Sequence, residues 1–332
     1  MKRLWYRLGI FWIVALMLQG ACSAAIPTEL VPGGAAIGLR LQTDGVYITE
    51  FAEHAPAKAA GLKIGDRIAE IDGIEVSAAA DLEPLINRAN GNRVTVQVQR
   101  GERLAAFSVQ PQRVGEQWRL GLYVKDSVAG IGTLTYYDPE SERFGALGHA
   151  VNGKQSQPIR ICGGEVLPVE LSEIRRGESG KPGSLTGRCP EQAESMGDIT
   201  ENLPEGVFGR LNAPVFGQTL PVAEFAELET GPACILCTVQ NGPPQQYDVE
   251  ITKVQPRGDG LRTLQLRVTD PLLLEQTGGI VQGISGAPIL QGGKLIGAVT
   301  HVLIDEPDRG YGIFIGDMLE ASVRAQMIDV AA

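Results

Sequence analysis

A serine set between glycines is the residue of this chain best suited to covalent chemistry. Residues 280–302 read IVQGISGAPILQGGKLIGAVTHV, centred on Gly283-Ile284-Ser285-Gly286-Ala287-Pro288 between two β-rich apolar runs. Glycines at 283 and 286 take backbone angles that side chains resist, and they leave the serine hydroxyl and nearby N–H groups uncovered. An acyl-transfer nucleophile needs an exposed oxygen beside donors that can hold an oxyanion. The same letters also fit a glycine-rich hairpin with a turn serine, so a base and an orienting acid must be found elsewhere.

The search for a base is short, because the chain has three histidines. His54 precedes Pro56 and reads as solvent-facing. His301 follows the serine turn on an apolar strand. His149 lies in Phe144-Gly145-Ala146-Leu147-Gly148-His149-Ala150-Val151, where glycines leave it room. An imidazole titrating near neutrality is what the hydroxyl needs, and His149 is favoured over His301. The acid should fix the imidazole tautomer and stabilise the imidazolium. Asp270, in Arg267-Val268-Thr269-Asp270-Pro271, ends an alternating strand shortly before the serine. Asp-Pro is equally a turn opener, and spacing alone does not separate Asp270 from Asp198, Asp248 or Asp259. The order His149, Asp270, Ser285 matches the chymotrypsin-like order and is consistent with a double-barrel protease.

Residues 118–325 must hold these groups in place. They read as many short strands broken by Gly, Pro, Asn and Asp, such as IGTLTYYD, YDVEITKV and LRTLQLRV. That spacing suits a β-barrel or sandwich enzyme, with a closing helix over 316–325. The 332 residues allow about two domains. A net charge of −10 argues against nucleic acid as a partner. Residues 1–25 differ from the rest: Lys2, Arg3 and Arg7 precede an apolar run over 8–18, then small residues around Cys22. This reads as a signal peptide or membrane anchor, followed by a Pro/Gly-bearing linker over 26–35. Export permits disulfides, and Cys162 with Cys189 is one candidate pair. Cys234 and Cys237 have metal-site spacing, but on a strand odd spacing points them to opposite faces, so they read as buried hydrophobes. No metal and no organic cofactor is expected.

Between linker and barrel lies a different unit. Ile37-Gly38-Leu39 opens it. Ala57, Ala60-Gly61-Leu62 and Gly65-Asp66-Arg67-Ile68 follow, then Ile71-Asp72-Gly73, an amphipathic helix over 77–89 and the alternating strand 94–100. Pro84 fits that helix only in its first turn. This order resembles a PDZ domain of bacterial secreted proteases, over residues 36–112. The resemblance implies a peptide groove between a strand at 38–41 and the helix. Ile37, Gly38, Leu39, Leu82 and Leu85 would line it, and a carboxylate would sit near Ile37-Gly38.

The whole chain resembles the SpoIVB peptidase family of endospore-forming bacteria. The carrying motifs are Val31-Pro32-Gly33-Gly34, Phe144-Gly-Ala-Leu-Gly-His149, Gly197-Asp-Ile-Thr-Glu-Asn202, Thr277 through Ile289, and Gly293 through Val302. Ile284 and Ala287 stand where members usually have Met and Ser. The resemblance implies a mainly β chain with minor α: an N-terminal PDZ domain, then a trypsin-like double-barrel serine peptidase domain over 113–332. It implies the triad His149, Asp270 and Ser285. Gly283 and Ser285 would be the oxyanion donors, by analogy with trypsin-like enzymes. It further implies export from the forespore to the intermembrane space, cleavage of a membrane-bound SpoIVFA-like regulator to trigger pro-sigma-K processing, and self-cleavage in the 26–35 linker. Two rival readings are a PDZ adaptor with a silent peptidase domain and a general extracytoplasmic quality-control protease.

Overall fold

The computed structural model describes residues 26–331, apart from 154–156, 191 and 257–260, and without the side chains of 328–331. The expected signal or anchor lies outside the described residues.

Two barrels of six strands each form the body of the chain. The first barrel joins Ala36–Phe51 to Leu122–Tyr137, then Arg143–Ala146, Gly206–Leu211, Gly197–Leu203 and Ile161–Pro168, and closes back on Ala36–Phe51. Closure needs side chains of alternate strand positions pointing inward. Ile37, Leu39, Leu41, Leu134, Phe144, Val166, Ile199 and Val207 do so and form one buried cluster. The second barrel runs Gly231–Cys237, Gln245–Val254, Leu264–Val268, Glu306–Phe314, Lys294–Leu303 and Pro288–Gln291, and closes on its first strand. The expected closing helix is present and longer, Ile315–Ala331; its Met318, Leu319 and Ala321 are buried in the core of the second barrel.

The PDZ unit is inserted into the first barrel. Ala36–Phe51 and Leu122–Tyr137 are paired from Ala36↔Thr133 to Phe51↔Leu122, a ribbon that leaves the barrel and enters the PDZ core. Residues 36–43 therefore belong to the barrel, and only the later part of the strand packs in the PDZ core with Val46 and Ile48. A boundary at residue 36 therefore gives the barrel half of this strand to the PDZ unit. The helix is Leu82–Arg88, preceded by a 3-10 turn Ala79–Asp81, and Pro84 falls in its first turn as required.

Three expectations are corrected here. The 26–35 linker is partly strand: Glu29–Pro32 pairs with Leu122–Tyr137 and Leu220–Pro221, and Leu30 is fully buried. Cutting there would first require that strand to peel away, which leaves 26–28 as the part of the linker ahead of the strand. Cys162 and Cys189 are unpaired. The Cys162 thiol reaches Thr43 O, whereas the Cys189 sulfur lies against Gly38. Five positions along one strand separate them by roughly 16 Å, well beyond disulfide reach. The third concerns the peptide groove. The strand at 38–41 has both edges filled, Leu39 opposite Val166 on one side and Gly130 on the other, so no peptide strand can add to it.

Candidate active site

His149 and Ser285 come from different barrels and line one cleft. His149 sits just after the strand Arg143–Ala146, and Ser285 on the turn before Pro288–Gln291. The turn is held by the first barrel. Thr133 N–H donates to Ser285 O at 2.9 Å. The Thr133 hydroxyl donates to Gly283 O at 2.7 Å, and the Thr135 hydroxyl to Gly286 O at 2.8 Å. Both threonines are buried. Nothing in their local sequence distinguished them from ordinary strand residues, so they were missed as site residues.

Gly286 is a packing requirement. Its φ is +94°, and a Cβ there would lie 2.2 Å from Thr133 O and 2.5 Å from Leu147 N. Gly283, at φ +106°, makes the other sharp bend. Within the turn, Ile284 N donates to Val281 O, Gly286 N to Val299 O and Ala287 N to Ile284 O. The N–H groups of Gly283 and Ser285 donate to no acceptor among the described residues. These are the two groups expected to hold an oxyanion.

The approach to His149 is strained. Leu147 is buried and adopts φ +68°, a left-handed conformation costly for a branched side chain. Asn202, also buried, accepts from Val151 N at 2.8 Å and donates to Val151 O and Ile159 O at 2.9 Å each. It pins the segment after the histidine. The His149 ring is mostly buried, and desolvation lowers its pKa from the ordinary histidine value, opposed by its bond to Ala150 O. His149 Nδ1 lies 2.8 Å from that carbonyl. The Ser285 hydroxyl donates to Thr300 O at 2.7 Å. Alignment of Ser285 with His149 therefore takes a rotation of the serine side chain away from Thr300, the kind of loose resting geometry common without substrate.

Asp270 is not brought to His149. Its Oδ1 accepts from Leu272 N at 2.9 Å and Leu273 N at 3.0 Å, the N-cap of the helix Pro271–Thr277. Its other oxygen faces Asp248 N at 3.3 Å. Asp at the cap, Pro at the first helical position and Gly278 at φ +76° past the end complete a short helix that uses this carboxylate locally. The turn-opener reading of Asp-Pro prevails. Beside His149 stands His301 instead, their ring centroids 4.9 Å apart and tilted by 38°. His301 is exposed on one side, yet its pKa is lowered by desolvation first, then by His149 and Arg262. His54 is exposed on the PDZ surface.

The predicted PDZ residues separate into two places. Ile37 and Leu39 are barrel core, with Gly38 between them. Leu82 and Leu85 belong to the PDZ helix and its core. Gln117–Arg119 is the strand that packs along that helix, whereas the first part of Leu122–Tyr137 reaches the 3-10 turn at its start. Asp126 accepts from Ala79 N at 2.9 Å near the helix start, and Trp118 N donates to Asn87 Oδ1 at 2.8 Å near its end. Residues 122–125 pair on one edge with Ala36–Phe51, and among the described residues their other edge pairs with no strand. Among the described residues no group of three or more His, Cys, Asp or Glu is placed to hold a metal ion. Cys234 and Cys237 are free thiols, and burial raises both pKa values, that of Cys237 to about 12.

A PDZ unit joined to two six-stranded barrels, with a histidine and a serine on the cleft between them, is the architecture of a double-barrel serine peptidase. The chain belongs to the SpoIVB peptidase S55 family, whose model matches residues 116–319, and a PDZ domain model matches residues 35–110. The chain is 30% identical over 84 residues to candidate zinc metalloprotease mll0638 of Mesorhizobium japonicum, covering 25% of this chain and 23% of that protein. It is 27% identical over 94 residues to candidate zinc metalloprotease BH06270 of Bartonella henselae, covering 28% and 26%. The chain thus spans about a quarter of the length of these curated relatives, and neither alignment is long enough to hold the peptidase domain. Among solved structures, the active form of the Rv3671c protease from M. tuberculosis is 16% identical, with 58% of this chain and 72% of that chain covered and a TM-score of 0.36. A serine-to-alanine variant of the same protease in its inactive form is 18% identical, with 59% and 82% covered and a TM-score of 0.32.

Proposed function

We propose that the chain is a serine endopeptidase acting outside the cytoplasm. The observation that carries this reading is the meeting of His149 and Ser285 on one cleft beside the two unused N–H groups of Gly283 and Ser285. Ser285 Oγ, once turned from Thr300 O, attacks the scissile carbonyl while His149 takes its proton. The carbonyl oxygen, now negative, is received by the two N–H groups. His149 returns the proton to the leaving amine. Water then attacks the acyl-enzyme with His149 as base, releasing the carboxylate and restoring Ser285. Desolvation lowers the pKa of His149, which favours the neutral form that a base needs.

The biological part of the reading rests on family membership. The enzyme is exported from the forespore into the intermembrane space, held or released through its N-terminal segment. There it cuts a membrane-bound SpoIVFA-like regulator and thereby starts pro-sigma-K processing. The PDZ domain receives a peptide or C-terminus as an added strand on the open edge of residues 122–125, near the 3-10 turn Ala79–Asp81 that leads into the helix.

Self-cleavage of the full chain tests the peptidase reading, with N-terminal sequencing of the product. Wild type should be cut before Glu29, where no strand has to open, and Ser285→Ala should stay intact. Equal cutting of the two would assign the event to another protease.

A further inference from the structure

On the Ser285 side, the cleft encloses about 720 Å³. Its lining includes the apolar Leu185, Ile280, Val281, Val302 and Ile304 together with Gly283 and Ser285. Among the described residues, no Asp, Glu, Lys or Arg lines this cavity, and its only titratable side chains are His149 and His301. Arg262 lines a second cavity that shares His149 and His301 with this one. A separate two-stranded hairpin, Glu170–Arg175 with Ser184–Arg188, builds one wall. Leu185, on the strand Ser184–Arg188, donates from its N–H to Gln282 O at 2.8 Å, and Gln282 N returns a bond to Gly183 O at 3.0 Å. That contact seats the Leu185 side chain against Gly283, one of the two oxyanion donors.

An extended chain also has a place to lie. The strand Lys294–Leu303 pairs with Glu306–Phe314 on one edge, while on the other edge Pro288–Gln291 reaches only as far as Ala298. Among the described residues, this second edge has no strand partner from Thr300 onward, and it runs along the cleft, beginning at the carbonyl that holds the serine hydroxyl. A peptide adding there as a strand brings one side chain over the apolar walls.

We propose that this pocket seats the residue on the acyl side of the cleaved bond and selects an uncharged aliphatic side chain there. This deepens, and rests on, the peptidase reading of Ser285. A Lys, Arg, Asp or Glu side chain would lose its hydration in the pocket and find no counter-charge, which is a far larger penalty than a mismatch in aliphatic size. The expected discrimination is about 100-fold or more in kcat/KM against charged residues, and only about 10-fold or so among aliphatic ones.

The test uses the full chain with two kinds of probe. A simple alkyl fluorophosphonate needs no side-chain pocket and reports whether Ser285 is reactive at all. Tripeptidyl phosphonates differing only in their last residue, Leu, Val, Lys or Glu, report the pocket. Leu and Val probes should label at least about 100-fold faster than Lys and Glu. Val302→Asp should narrow the gap between Leu and Lys by about tenfold or more, because it supplies the missing counter-charge. Ile304→Asp, at the exposed rim, serves the same end if Val302→Asp no longer takes the simple probe. Labelling by the simple probe with Lys or Glu equal to Leu would overturn the pocket assignment. So would an unchanged gap in a variant that still labels. Failure of the simple probe on wild type would remove the peptidase reading itself, and this inference with it.

Discussion

Replacing Thr133 by valine removes one hydroxyl and keeps nearly the same shape. That hydroxyl is buried and donates to Gly283 O at 2.7 Å. Without it a buried carbonyl loses its partner, which costs about 1–3 kcal/mol of folding stability. The change also frees the residue whose N–H is one of two oxyanion donors. Losing such a donor outright costs about 10²–10³ in rate. Thr133→Val leaves the donor present but less firmly aimed, since the Thr133 N–H bond to Ser285 O remains. The expected fall in reactivity is therefore about 10–100-fold, below the cost of full loss. Urea unfolding reads the stability change, and the rate of fluorophosphonate labelling at saturating folded fraction reads the aim. A stability loss with labelling unchanged would refute the claim that the first barrel sets the geometry of the serine turn. The threonine would then be a structural strut and no more.

Asp270→Ala should lower stability by about 0.5–2 kcal/mol through loss of the helix cap, with labelling within a few-fold of wild type. A member of a working triad would instead cost about 10⁴ in rate. Desolvation lowers the pKa of His149, so the acid limb of kcat/KM should fall below about 6.5, the ordinary histidine value. The same shift predicts folding stability that is complete above about 6.5 and declines as pH drops through the lowered native value, since the unfolded chain takes up that proton first. An acid limb at or above the ordinary value would contradict the buried, neutral base. Calorimetry across that pH range checks the stability part.

Much of this was legible in the sequence, and the reasons are physical. Glycines on either side of Ser285 mark a backbone that must bend and approach closely, and Gly286 does meet Thr133 and Leu147 at distances no side chain allows. Leu-Gly-His149 reads similarly. The PDZ helix, the position of Pro84 and the short strands of the second half followed from local patterning. What local patterning does not carry is long-range pairing. Ile37-Gly38-Leu39 alternates like any half-buried strand, and only the partners at Gly130–Gly132 and Val166–Pro168 assign it to the barrel rather than to a peptide groove. The insertion of the PDZ unit between two strands of one barrel is invisible for the same reason. Asp270 shows a second limit: one Asp-Pro dipeptide serves a helix cap and a triad equally well on paper, and here the cap uses the oxygens. Thr133 and Thr135 act through hydroxyls pointing at another domain, which strand propensity does not register.

The most direct measurement is the rate at which a fluorophosphonate labels the full chain, with wild type beside Ser285→Ala and His149→Ala. Wild type should label at a single site, mapped to the peptide that contains Ser285. Ser285→Ala should not label at all, and His149→Ala should be slower by about 10⁴-fold or more, since the hydroxyl keeps its place but loses its base. Equal labelling of wild type and His149→Ala, or a label on any other residue, would contradict a nucleophile and base assembled across the two barrels.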